Sequence, residues 1–178
     1  AAYYQRSVGE IALAVLPPEL RRLGRDAIAD RIGRMRRAFD RADPPSATAD
    51  EAPPSLTEEQ AAAKDAIVAA MAIAAPGTAL LHGVTGSGKT EVYLQSADHA
   101  LAAGRQVLVL VPEINLTPQL IDRFSRRFAS RRIVALHSAL TPAQRLRSWL
   151  AAQLGLADLV LGTRLAVFAA LPRLGLLV

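Results

Sequence analysis

The sequence predicts an α/β fold built on a parallel sheet with helices on both faces. From Leu56 onward, short apolar runs alternate with helical segments, the rhythm of a doubly wound sheet. Runs such as Val107-Leu108-Val109-Leu110-Val111 are apolar at every position, as strands are when both sheet faces are covered. A glycine-rich turn, Gly83 to Gly88, joins one apolar run to a helical one.

Residues 1–22 read as a helical piece carrying Ile11, Leu13, Val15 and Leu16, with Pro17-Pro18 as a stop. Residues 23–41 read as a basic amphipathic helix, because Ile28, Ile32, Met35 and Phe39 recur at helical spacing. Eight arginines fall between residues 19 and 41. A solvated face is the first reading of such charge, a DNA-contacting face the second. Residues 42–55 are rich in Pro, Ala, Ser and Asp and mark a linker. Thr57 then caps an alanine-rich helix, and Gln60, three residues on, completes a capping box. Strands are expected at 78–82, 106–111, 132–136, 158–161 and 174–178, with helices near 88–103, 117–129 and 142–153. Tyr93 and Trp149 sit at helical spacing among apolar residues and read as packing groups.

With 51% hydrophobic and 21% charged residues among 178, the chain is globular rather than disordered. It has no cysteine, which excludes a disulfide scaffold and a thiolate-bound metal within this stretch. No apolar run reaches membrane-span length and no charged-then-apolar leader opens the chain, so no membrane partner is expected and a cytoplasmic location is. The net charge of +5 favours a polyanion partner. Nineteen of the 21 basic residues are arginine, and one of the two lysines lies inside the glycine turn.

That turn is Gly83-Val84-Thr85-Gly86-Ser87-Gly88-Lys89-Thr90, a phosphate-binding loop in a strand–turn–helix context. Glycines let backbone N–H groups face phosphate without side-chain obstruction, and the helix start adds partial positive charge. Lys89 supplies a mobile charge for the β- and γ-phosphates, and Thr90 a hydroxyl for Mg²⁺. The loop points to ATP–Mg²⁺ but leaves the reaction open, since many unrelated machines use it. Further polar clusters follow the strands: Val111 to Gln119, Leu136-His137-Ser138, and Gly162-Thr163-Arg164. In an open parallel sheet, ligands sit at those carboxyl ends. His137 reads equally as a satisfied strand-end histidine or as a site group.

The run GVTGSGKTEVYL, then GRQVLVLVPEINLTPQL, then ALHSAL, then LGTRLAVFAALPRLGLLV, resembles the PriA family of replication-restart helicases. The resemblance covers residues 56–178 and implies a RecA-like P-loop lobe, the first motor lobe of a superfamily 2 DNA helicase moving 3′ to 5′. It implies that Lys89 and Thr90 act on ATP–Mg²⁺ and that Gln60 contacts adenine. It further implies that Thr117, Pro118 and Gln119, with Gly162, Thr163 and Arg164, hold the backbone of single-stranded DNA. Such chemistry, made of backbone amides, hydroxyls and an arginine, suits a motor indifferent to sequence. Thr117 and Pro118 also suit a helix cap and first helical position.

Single-stranded and forked DNA, primosome proteins and single-strand-binding proteins are the partners the resemblance implies. Residues 1–22 resemble the stretch leaving that family's N-terminal DNA-binding region, and 23–55 is short for its winged helix. This chain has Asn115 and Ala139 where the family commonly has glycine, and Leu165 where it has serine. The chain reads as an internal piece, stopping before the family's Asp-Glu-Glu-His box, with zinc expected only in cysteine sites beyond it. The isolated piece is therefore expected to be inactive in hydrolysis. Another superfamily 2 translocase and a non-hydrolysing ATP-binding remnant are the alternative readings.

Overall fold

The computed structural model describes residues 7, 9, 10, 13, 16–41, 52–73 and 75–178. Half of the helix expected over 1–22 falls outside them, as does most of the linker at 42–55. Six helices are described: α1 (Pro18–Arg22), α2 (Arg25–Arg41), α3 (Glu58–Met71), α4 (Lys89–Ala102), α5 (Pro118–Arg127) and α6 (Pro142–Gln153). Four strands, β1 (Gln106–Leu110), β2 (Ile133–Leu136), β3 (Leu159–Gly162) and β4 (Leu174–Leu177), form one parallel sheet in the order β2-β3-β1-β4. Short 3₁₀ turns follow β1 (Glu113–Asn115) and β3 (Arg164–Phe168).

The central strands explain why the alternation is missing from their sequences. Val107, Val109, Leu159 and Leu161 pack with Leu94, Ala97, Leu101, Phe124 and Phe128 of the α4/α5 side. Leu108 and Val160 pack with Leu136, Ala152 and Ala166 in a second cluster, against which Trp149 rests. Each face thus has its own core, and Val107 to Val109 and Leu159 to Leu161 are all apolar because both of their faces are covered. Tyr93 packs against the first cluster, so both aromatics are packing groups as expected.

Helix boundaries follow cap chemistry. Thr57 with Gln60 and Thr141 with Gln144 form complete capping boxes. Thr117 Oγ1 accepts from Leu120 N–H at 3.3 Å, and Pro118 takes the first helical position. At the other end, α4 and α6 close through Gly104 (φ +70°) and Gly155 (φ +68°), where Arg105 N–H donates to Ala100 C=O and Leu156 N–H to Ala151 C=O. Gln106, fully buried at the start of β1, braces three segments. Its Nε2 donates to the carbonyls of Ala152 and Ala157, and its Oε1 accepts from Arg173 N–H.

Two expectations are refined and one is corrected. Gly9, Glu10 and Leu13 are helical while Leu16 and Pro17 are not, so the helical piece has ended at the prolines as expected. Pro18 opens a new helix, α1, at the position where a proline loses no hydrogen bond a helix needs. The basic helix expected over 23–41 is α2, Arg25–Arg41, set off from α1 by Leu23-Gly24. Thr78–His82 is not a strand. No described segment offers it a ladder partner, and Leu80 is 89% exposed. Apolar propensity alone does not make a strand when no neighbour supplies hydrogen bonds. Asn115, which stands where the resembled family commonly has glycine, lies in a 3₁₀ turn that needs no left-handed backbone.

Candidate nucleotide and nucleic-acid site

α4 runs from the glycine loop to Gly104 and the chain returns as β1. The helix therefore lies antiparallel to the strand, and its start sits level with the strands' carboxyl ends. Thr117, at the start of α5, and Thr163-Arg164, after β3, leave the sheet at the same edge. Topology alone thus gathers the glycine loop and both candidate DNA segments on one rim, where parallel sheets bind ligands.

The loop is shaped for a phosphate. Gly86 (φ +84°) and Gly88 (φ +79°) hold left-handed backbone that L side chains rarely adopt. Gly88 is the N-cap of α4 and brings no capping side chain, which leaves first-turn N–H groups in need of an acceptor. Close approach matters too. A Cβ at Gly83 would stand 2.6 Å from Ser87 Oγ, and one at Gly88 would collide with Gln60 Nε2. Lys89 folds back over the turn, its Nζ donating to the carbonyls of Gly83 at 2.6 Å and Val84 at 2.8 Å. The ammonium is held where an anion entering the loop would meet it. An uncapped helix start, a tight glycine cradle and an inward lysine fit the phosphates of a nucleotide with its Mg²⁺. Thr90 lies in the first turn beside Lys89, half-buried.

Gln60 is more engaged than its sequence position indicates. Its Oε1 accepts from Thr57 N–H at 3.0 Å and its Nε2 donates to Ser87 C=O at 2.9 Å. The cap of α3 is thereby tied to the loop.

The candidate DNA residues divide by exposure. Thr117, Pro118 and Gln119 are all exposed, although the Thr117 hydroxyl is used as a cap. Gly162 is buried at the end of β3 and leaves no room for a side chain, since a Cβ there would collide with that of Ala166. Thr163 is 1% exposed, with its hydroxyl buried and without a hydrogen-bond partner. Its N–H donates to Leu136 C=O. Arg164 is the member of that trio presented to solvent, followed by Leu165, 66% exposed. His137 is half-buried, with its carbonyl accepting from Leu140 N–H.

Sequence reading missed Arg127. It is buried on α5, with Nη2 3.8 Å from carboxylates of Glu91 and Asp98 on α4 and its guanidinium 5.6 Å from the Phe128 ring centroid. It joins the helix that begins at Thr117 to the one that begins at Lys89. The signal was present: Phe124, Arg127 and Phe128 share the inward stripe of α5 at i, i+3, i+4.

A parallel sheet flanked by helices, with a glycine cradle opening a helix at its carboxyl rim, defines a RecA-like P-loop lobe. The chain belongs to the DEAD/DEAH box helicase family, which matches residues 57–177. Relatives agree. The replication restart protein PriA of Synechocystis sp. is 47% identical over 134 residues, 75% of this chain and 16% of the relative. That of Bacillus subtilis is 44% identical over 126 residues, 71% of this chain and 16% of the relative. That of Treponema pallidum is 39% identical across 178 residues, 100% of this chain and 24% of the relative. The chain thus spans between a sixth and a quarter of the length of these curated relatives. Among the described residues, no helix is long and apolar enough to cross a membrane.

Proposed function

We propose that this chain is the ATP-binding first lobe of a 3′-to-5′ DNA helicase that acts in replication restart. The supporting observation is the loop at the sheet's carboxyl rim: left-handed Gly86 and Gly88, an uncapped α4 and Lys89 bent inward. In this reading the N–H groups of residues 86–90 and the Lys89 ammonium hold the phosphates. Thr90 ligates Mg²⁺, and the metal neutralises phosphate charge when bound. Gln60, already against Ser87, contacts adenine. Thr117 to Gln119 and Arg164 hold the single-strand backbone, with Gly162 and Thr163 shaping the turn that presents Arg164. The names of the relatives bring replication restart, and with it forked DNA, primosome proteins and single-strand-binding proteins as partners. Zinc, in this reading, belongs to sequence outside these 178 residues.

The 178 residues alone bind nucleotide without turning it over. The acid nearest the loop in sequence, Glu91, accepts from Gln95 and faces Arg127, so it is not available to order an attacking water.

Strand separation by the full-length protein tests the reading. Forked DNA with a 3′ single-stranded arm should be unwound with ATP, and a matched RNA duplex should not. Equal unwinding of RNA would favour another superfamily 2 translocase. ATP binding with no DNA-stimulated hydrolysis in the full-length protein would favour a binding remnant.

A further inference from the structure

Away from the carboxyl rim, the outer edge of the sheet carries a second surface. β2 is the edge strand, and α2 lies alongside it. Arg132 Nη2 donates to Phe39 C=O at 3.1 Å, and its guanidinium stands 5.3 Å from the Phe39 ring centroid. Two adjoining cavities, of about 650 and 580 Å³, share Ala38, Phe39 and Arg147 and merge into one groove between α2, α6 and β2. Among the described residues, Arg31, Arg34, Arg131, Arg132 and Arg147 line it, and no Asp or Glu does.

The charge is uncompensated among the described residues. None of the five arginines makes an ion pair there. The carboxylate of Asp158 accepts from the Arg132 backbone N–H, and Asp30 is exposed on α2 outside the lining. Arg131 Nε is buried without a hydrogen-bond partner. A buried donor left unmatched is costly unless something accepts from it. Repulsion among like charges along one groove adds to that cost. Arginine forks match phosphate oxygens.

We propose that this groove binds the sugar–phosphate backbone of a single nucleic-acid strand, apart from the rim described above. The distance along α2 from Arg31 to Phe39 is about 12 Å at 1.5 Å per residue. That is room for a short run of backbone phosphates. The apolar wall made by Phe39 and Ile133 suits sugar and base faces. Ala135 and Leu140 place one end of the groove near the carboxyl end of β2, so a strand held at the rim can continue along the sheet's side. The proposal rests on the nucleic-acid reading only for the identity of the polyanion.

The test is anisotropy of a fluorescein-labelled 20-nucleotide oligothymidylate bound to the full-length protein across a salt series. The triple variant Arg31→Ala, Arg34→Ala, Arg147→Ala should flatten the log–log salt slope by about 2, at roughly 0.7 per lost phosphate contact. The matching Arg→Lys triple should keep most of the slope. An unchanged slope in the alanine triple overturns the proposal. Photocrosslinking of an iodouridine-substituted strand to the unaltered protein gives an answer that does not depend on a variant folding. Adducts in residues 31–39 or 131–148 support the groove, and adducts confined to 117–119 and 164–168 overturn it. Arg164→Ala tests the rim separately, so loss there with an intact groove slope leaves the earlier reading standing and this one refuted. Displacement of the crosslink by inorganic pyrophosphate at matched ionic strength would show a small-anion site and also overturn it.

Discussion

Arg127 shows what a single side chain does here that its letter in the sequence does not announce. It is a cation inside an apolar stripe, facing Glu91 and Asp98 on the neighbouring helix. Removing one partner of such a buried cluster leaves the others stranded. Arg127→Ala should destabilise the fold by about 3 kcal/mol, the low end for buried pairs because Asp98 is partly open to water. Urea denaturation followed by circular dichroism would measure it. A loss below about 1 kcal/mol, the range of surface pairs, would show that the cluster is not held as described. The glycine loop, by contrast, was readable residue by residue, because its chemistry depends on backbone freedom and one lysine in a fixed order. Gln60 was half readable. Its cap role is local and follows from spacing, whereas its bond to Ser87 joins positions 27 residues apart and no spacing rule reaches that far.

Among elements, legibility followed the locality of the cause. α6 was placed at its observed ends because Thr141, Pro142 and Gln144 encode the start within four residues. Thr141→Ala should cost about 1 kcal/mol, through the lost cap, and lower the thermal midpoint by a few degrees. Differential scanning calorimetry would check this, and an unchanged midpoint would mean the box contributes nothing. Thr78–His82 failed as a strand for the opposite reason: a strand depends on a neighbour, and none of the described residues is that neighbour. Its amides should exchange with solvent deuterium within seconds, while those of Leu108 and Val160, in the sheet's middle, are protected far longer. Protection across 78–82 equal to that of β1 would show that the segment is paired after all. α2 was foreseen as basic and amphipathic, but the edge strand that turns its arginines into one wall of a groove lies about 100 residues downstream and could not be.

For the molecule as a whole, the sheet explains why a chain so poor in aromatics still has a core. Ala97, Ala151, Ala152 and Ala157 are fully buried, so small residues let helices approach the strands closely and Val, Leu and Ile fill what remains. Fold class was legible because both periodicity and the absence of it had a single explanation, a sheet covered on two faces. The isolated 178 residues should show a steady-state ATPase rate at the level of background phosphate release, and a malachite-green assay would check it. Turnover near 1 per second, the low end of working enzymes, would refute the claim that the lobe binds without cutting. Arginine usage has one further consequence for this molecule. Lys64 and Lys89 are its two lysines, and Lys64 pairs with Asp65 on the outside of α3. An acylating reagent therefore finds one partly exposed side-chain amine beside Asp65 and one folded over the loop. The ratio of label at the two positions is a built-in gauge of whether the loop is filled, needing no substitution and no dye.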